Sequence, residues 1–210
     1  MHIPDGFLNV SVCAATGLAA VAGLGMSVSR SQAALGERTI PLMGITAAFI
    51  FAAQMINFPV AGGTSGHLLG GVLAAILLGP WAGALVIALV LVVQCFLFMD
   101  GGVLVLGANI FNMAIVGTLL SFLIYKALNR GIGHIPATAV TAWLSVVLAS
   151  GTCAVELGIS GTVPMGLAIK AMLGWHIVIG IGEAIITCVV LGYVNAVRPD
   201  LITTRAEATS

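Results

Sequence analysis

Few side chains in this sequence are equipped for chemistry, and the first of them is the second residue. His2 directly follows the α-amine of Met1. The amine, the His2 main-chain nitrogen and its imidazole Nδ1 can close a five-membered and then a six-membered ring around one metal ion. Once the amide gives up its proton, these three nitrogens lie in a plane, which suits square-planar Cu(II) or Ni(II). Zn(II) prefers a tetrahedron of thiolates and imidazoles. The fourth corner needs one more neutral nitrogen. Of the other histidines, His67 is the best available donor, whereas His134 lies in a separate loop and His176 about a turn inside the last apolar run. His176 reads as a hydrogen-bonded packing residue or a proton relay. Pro4 and Asp5-Gly6 let the segment turn back towards the rest of the chain. A His2 that simply stays solvated is the plain alternative.

Polar residues otherwise scarce in the chain gather around two further segments, Pro59 to His67 and Asp100 to Asn109. Asp5, Asn57, Thr64, Ser65, His67, Asp100, Asn109 and Asn112 would together line a pocket for a small polar solute or cation. Ordinary turn chemistry also places Gly, Asn and Asp in such loops. Gly63-Thr-Ser-Gly66 admits a rival reading from another class: an intramembrane serine protease with Ser65 as nucleophile and His176 as base. A serine capping a helix start explains the same four residues.

Something must hold these groups, and the composition says what. Of 210 residues, 60% are hydrophobic and 7% charged, against roughly 45–50% and 25% in soluble domains. Such a chain is an all-α, polytopic membrane protein. Its 27 glycines suggest helices in close approach. Seven Lys/Arg balance seven Asp/Glu, which excludes a polybasic nucleic-acid binder. Apolar runs cover residues 8–28, 42–58, 81–99, 110–128, 137–157 and 172–194, with a shorter one at 68–78. Fused to its successor, the short run would make a helix of about 50 Å, too long for one crossing. The chain must therefore reverse at Gly79-Pro80, and seven transmembrane helices result.

With seven crossings, Arg30, Arg38, Lys126, Arg130, Arg198 and Arg205 share one side and only Lys170 takes the other. The positive-inside rule then puts the carboxyl terminus in the cytoplasm and Met1 outside, where the polar loops also fall. Residues 1–210 are read as one transmembrane domain, with 1–7 as the chelating segment and 198–210 as a cytoplasmic tail. Cys13, Cys95, Cys153 and Cys188 lie singly in apolar runs, as buried thiols. No basic region precedes the first apolar run, so Met1 is expected to be the mature start. No phosphate-binding loop of the Gly-x-x-x-x-Gly-Lys-Ser/Thr type occurs, so any ATP-driven step needs a partner.

Two motifs carry a resemblance. Met1-His-Ile-Pro-Asp-Gly-Phe-Leu8 is similar to the amino terminus of the CbiM/NikM proteins, the substrate-binding (S) components of energy-coupling-factor uptake transporters for cobalt and nickel. Gln54-Met-Ile-Asn-Phe-Pro-Val-Ala-Gly-Gly-Thr-Ser-Gly-His-Leu-Leu-Gly-Gly71 looks like that family's second signature. The resemblance implies a transported ion held by the Met1 amine, the His2 amide, the His2 imidazole and the His67 imidazole, with no catalytic cofactor and no enzymatic activity. Asp5 would anchor the folded-back segment, and Thr64 or Ser65 would orient His67. The Ile-Pro-Asp-Gly form looks more like the nickel branch, cobalt members often carrying Ile-Met-Glu-Gly, so Ni(II) is favoured over Co(II). The implied partners are a membrane coupling subunit, a pair of ATP-binding-cassette ATPases and a small auxiliary membrane protein, in the inner membrane of a prokaryotic cell. Gly44, Ala48 and Ala52 form a small-residue stripe that reads equally as a docking face for the coupling subunit or as internal packing. An S component for a small organic vitamin is the alternative.

Overall fold

The computed structural model describes residues 1–32, 39–60 and 64–202, residues 58–60, 64 and 65 by their main chain only. Among the described residues, seven helices make up the fold: α1 (Val10–Ser31), α2 (Thr39–Gln54), α3 (Gly71–Leu78), α4 (Pro80–Phe98), α5 (Leu106–Ile132), α6 (His134–Ile159) and α7 (Met165–Val197). Arg38 and Arg205 lie outside the described residues, so the expectation about their side of the membrane has no structural counterpart.

The helix starts follow from local chemistry. Asn9 caps α1, its side-chain oxygen accepting the Val12 N–H at 2.9 Å. The expected reversal between α3 and α4 occurs at Gly79, whose φ of 81° only glycine adopts easily, and Pro80 follows in the first turn of α4. A short 3₁₀ turn, Pro199–Leu201, follows α7.

Five helices, α1 and α4 to α7, are each long and apolar enough to cross a membrane, and α2 adds a sixteen-residue apolar helix. The protein is a multi-pass membrane protein. α3 is different. Its eight residues rise only about 12 Å, and every one of them is buried. It packs on α4 so closely that a Cβ on Gly83 would lie 2.9 Å from the main-chain carbon of Ala74. Gly107 on α5 likewise meets the Gly17 main chain on α1, where an added Cβ would stand 2.6 Å from the Cα. Glycine thus works here as the composition suggested, letting backbones touch. The α7 surface carries exposed Val178, Ile181, Ile185 and Val189, a side-chain set suited to lipid.

Two details were not foreseen. Residues 111–120 of α5 wind as a π-helix, a wide turn that is rare beyond a single bulge. The hydroxyls of Thr118 and Ser121 each donate to a carbonyl five residues back, on Met113 and Val116, at 3.0 Å. The α2–α3 connection contains a two-stranded antiparallel ladder, β1 (Phe58–Val60) and β2 (Thr64–Gly66), which opposes Phe58 to Gly66. In α2, the residues facing inward are Thr46, Ile50 and Gln54, while Gly44, Ala48 and Ala52 are exposed. Among the described residues, the small-residue stripe thus lies on the outward side of α2.

Candidate metal centre

The amino-terminal segment is folded into the bundle. Met1 and Ile3 are wholly buried and His2 is 4% exposed. Asn109, near the start of α5, holds this strand in place. Its Oδ1 accepts the Ile3 N–H at 2.9 Å and its Nδ2 donates to the Ile3 carbonyl at 3.1 Å. The Gly102 N–H also donates to that carbonyl, at 2.9 Å. Two residues on, the Asp5 carboxylate accepts the N–H groups of Val103 and Leu104 at 3.1 and 2.8 Å. The Thr162 hydroxyl donates to the Phe7 carbonyl, and the Asn9 N–H donates to Ser160 Oγ at 3.1 Å. Asp5 thus ties the segment to the loop that follows α4.

His67 arrives from the opposite direction, immediately after β2. The chain beyond it is clamped from two helices. Glu183 of α7 accepts the N–H groups of Leu69 and Gly70 at 2.7 and 2.8 Å, and Gln54 of α2 donates to the Leu69 carbonyl at 2.7 Å. Gly70 has a φ of 78°, and a Cβ there would meet the Ile50 side chain at 2.9 Å. The His67 ring is 1% exposed. Its Nδ1 lies 2.6 Å from the Leu68 carbonyl, which can only accept, so Nδ1 carries the proton and Nε2 keeps its lone pair.

These two routes bring His2 and His67 together, with ring centroids 4.5 Å apart and planes 17° apart. Two imidazoles bound side by side on one ion, with metal–nitrogen bonds of about 2.0–2.1 Å at right angles, also place their centroids about 4.5 Å apart. Both ring nitrogens of His2 and Nε2 of His67 are buried without a hydrogen bond. Asp100 Oδ1 stands 3.2 Å from His2 Nδ1, within ion-pair range. Its other oxygen accepts from Asn57 Nδ2 at 3.2 Å.

Burial dominates the electrostatics. It lowers the Met1 amine from an ordinary 8.0 to about 5, against weaker opposing pulls from Cys153 and Asp100. It also lowers His2, and it pushes His67 well below the usual histidine range with help from the amine and His2. All three favour the neutral, lone-pair-bearing form that a metal requires. For Asp100, burial alone would raise the carboxyl, but His2, the amine and Asn57 outweigh it and hold the group low. Among the described residues there is no group of three or more His, Cys, Asp or Glu side chains poised to hold a metal.

Not every polar residue named from the sequence joins the centre. The side chains of Thr64 and Ser65 lie outside what the structure describes. Asn112 points elsewhere, donating to Glu156 at 2.7 Å. His134 pairs with the Tyr125 hydroxyl at 2.7 Å, and His176 bonds the Met172 carbonyl at 2.7 Å within α7. Glu183, whose carboxylate clamps the chain beyond His67, went unnamed in the sequence. Glu183 had a signal, since an ionisable residue deep in an apolar span demands a partner.

The matching family model is CbiM, described as a cobalt uptake substrate-specific transmembrane region, and it covers residues 2–201. A protein of Archaeoglobus fulgidus bearing the fused NikMN name is 44% identical over 98% of this chain and 69% of its own length. The fused nickel transport protein NikMN of Rhodobacter capsulatus is 33% identical over 98% of this chain and 65% of its own. The crystal structure of a transition metal transporter superposes with a TM-score of 0.89 at 35% identity, covering 94% of this chain and 93% of that one.

Proposed function

From the premise that this chain belongs to the CbiM family, as a metal transport component and not an enzyme, we propose that it captures Ni(II), with Co(II) as second substrate, through four nitrogens. These are the Met1 amine, the His2 amide, His2 Nδ1 and His67 Nε2. The observation that carries this reading is the 4.5 Å pairing of the buried His2 and His67 rings beside the buried amine. An incoming ion sheds its water shell, and the His2 amide proton leaves to solvent as the nitrogen–metal bond forms. The fused nickel relative and the Ile-Pro-Asp-Gly form support nickel; the family's description supports cobalt as the second substrate.

Met1 faces outside and the tail enters the cytoplasm, in the inner membrane of a prokaryotic cell, with residues 1–210 acting as one substrate-binding unit. Energy comes from partners: a membrane coupling subunit, two ATP-binding-cassette ATPases and a small auxiliary membrane protein. The coupling subunit docks on Gly44, Ala48 and Ala52, a reading that the outward position of this stripe supports. The serine protease alternative falls with the family assignment. A substrate-binding component for an organic vitamin would carry no tightly held transition metal. The deciding experiment pairs intact mass with metal analysis of untagged protein purified in the presence of nickel. One nickel per chain is expected, and none in protein whose terminal amine is blocked by a retained formyl group. Equal nickel in both would overturn the four-nitrogen reading.

A further inference from the structure

The end of the bundle away from the proposed metal centre carries charged groups of its own. Arg30 is the last residue but one of α1, Trp81 is the second of α4, and Lys126 lies in the last two turns of α5. The amino-terminal segment, Asp100 and Asn109 sit at the opposite ends of these three helices. The Arg30 guanidinium stands 5.2 Å from the centre of the Trp81 ring, within cation–π range. Trp81 and Lys126 in turn line a cavity of about 280 Å³ together with Pro80, Leu119, Phe122 and Leu123. Leu123 is 64% exposed and Lys126 is also exposed, so the cavity opens on the flank of the bundle. Among the described residues, ion pairs join His2 to Asp100 and Arg198 to Asp200, and neither Arg30 nor Lys126 has a carboxylate partner.

The layout matches that of a lipid. Leu119, Leu123 and Lys126 are spaced four and three residues apart, so one stripe of α5 passes from apolar to cationic over about 10 Å. A phospholipid passes from acyl chain to phosphate in the same order. A tryptophan beside the cationic end suits the headgroup region of a bilayer. The cavity is smaller than the roughly 300–1,000 Å³ of pockets that enclose a small molecule, which fits a headgroup whose chains stay outside along the helix. We propose that this cavity binds one anionic phospholipid. The Lys126 ammonium pairs with the headgroup phosphate, Arg30 at the Trp81 ring adds a second positive charge, and an acyl chain lies on Leu119 and Leu123. A zwitterionic lipid fits less well, because its own ammonium would meet two unpaired cations. Basic pockets between transmembrane helices take anionic headgroups for this reason. The contacts come from α1, α4 and α5, so the bound lipid joins the ends of three helices.

The test is native mass spectrometry of delipidated full-length protein in detergent, titrated with dioleoylphosphatidylglycerol or with dioleoylphosphatidylcholine, whose acyl chains are identical. The wild type is expected to bind one phosphatidylglycerol roughly tenfold more tightly than phosphatidylcholine. Lys126→Gln and Arg30→Gln are each expected to lower the phosphatidylglycerol affinity about fivefold, with helical circular dichroism unchanged. Lys126→Arg, which keeps the charge, is expected to stay within about twofold of wild type. Lys126→Met serves in place of Lys126→Gln if the glutamine variant does not fold. Arg130→Gln removes an exposed charge one turn further along α5 and is expected to change the affinity by less than about twofold. Equal affinity of the wild type for the two lipids would overturn the proposal. So would a loss in Arg130→Gln as large as that in Lys126→Gln, since the preference would then reflect only the general charge of this end. Displacement of the lipid by an equal concentration of glycerol 3-phosphate would also overturn it, because a soluble phosphate and not a bilayer lipid would then be the ligand.

Discussion

Asn109 grips both main-chain polar groups of Ile3, 106 positions away in sequence, and this double hydrogen bond fixes the direction in which the amino-terminal segment enters the bundle. Ile3 O keeps a second donor in Gly102, but Ile3 N–H has Asn109 as its hydrogen-bond acceptor. Asn109→Leu should therefore strand a buried N–H at a cost of about 1–3 kcal/mol. The expected result is a nickel affinity lowered by roughly one to two orders of magnitude, read by chelator competition, with the helical circular dichroism unchanged.

Gly102 is the other half of that contact. A Cβ at this position would lie 2.2 Å from Asp5 Oδ1 and 2.3 Å from the Asp5 main-chain nitrogen. The Asp5 side chain can rotate away, but the backbone cannot. Gly102→Ala should lower stability by about 1–3 kcal/mol, as overpacking does. Its nickel binding should fall in parallel, whereas Gly44→Ala, which meets nothing within 4 Å, should leave both unchanged.

Acid should undock the amino terminus. The Met1 amine is a base whose folded-state pKa falls from 8.0 to about 5 because burial penalises its charge. The unfolded chain therefore binds the extra proton first as pH drops. The contribution to stability is complete above about pH 8, declines from 8 towards 5 and has no further part to lose below that. Three pKa units correspond to about 4 kcal/mol. The lowered His2 and His67 act in the same direction below their ordinary value of 6.5. The protection factor of the Ile3 amide, its exchange rate divided into the intrinsic rate at each pH, should fall as the pH drops across this window, and an unchanged factor would contradict the buried neutral amine.

Ala48 tests the surface and not the centre. It is exposed on α2, outside the contacts that fix His2 and His67. Ala48→Trp should leave nickel binding within about twofold of wild type and abolish uptake in cells that also make the coupling subunits. Loss of binding together with uptake would place the stripe in internal packing after all.

Much of this was legible in the sequence because its signals are local. A run of apolar residues of bilayer length declares a helix, and Gly79-Pro80 declares a reversal, whatever the rest of the chain does. The chelate proposed at His2 can be read locally because three of its four nitrogens belong to the first two residues. The pairing of Asn109 with Ile3, and of Glu183 with Leu69 and Gly70, depends instead on which helices become neighbours, and no spacing records that. The π-helical stretch of α5 was invisible for a related reason. Its residues are as apolar as those of any α-helix, and only tertiary packing selects the wider turn.

The brevity of α3 has a consequence for how the protein is made. A helix of eight residues with no side open to lipid cannot enter a bilayer as an independent unit. It must be drawn into place with α4, after its neighbours have been threaded. The same holds for residues 1–9, which form no spanning helix. Both segments bearing the proposed ligands are thus late arrivals in biogenesis, and newly inserted chains should pass through a stage that has all its long helices and no capacity for metal.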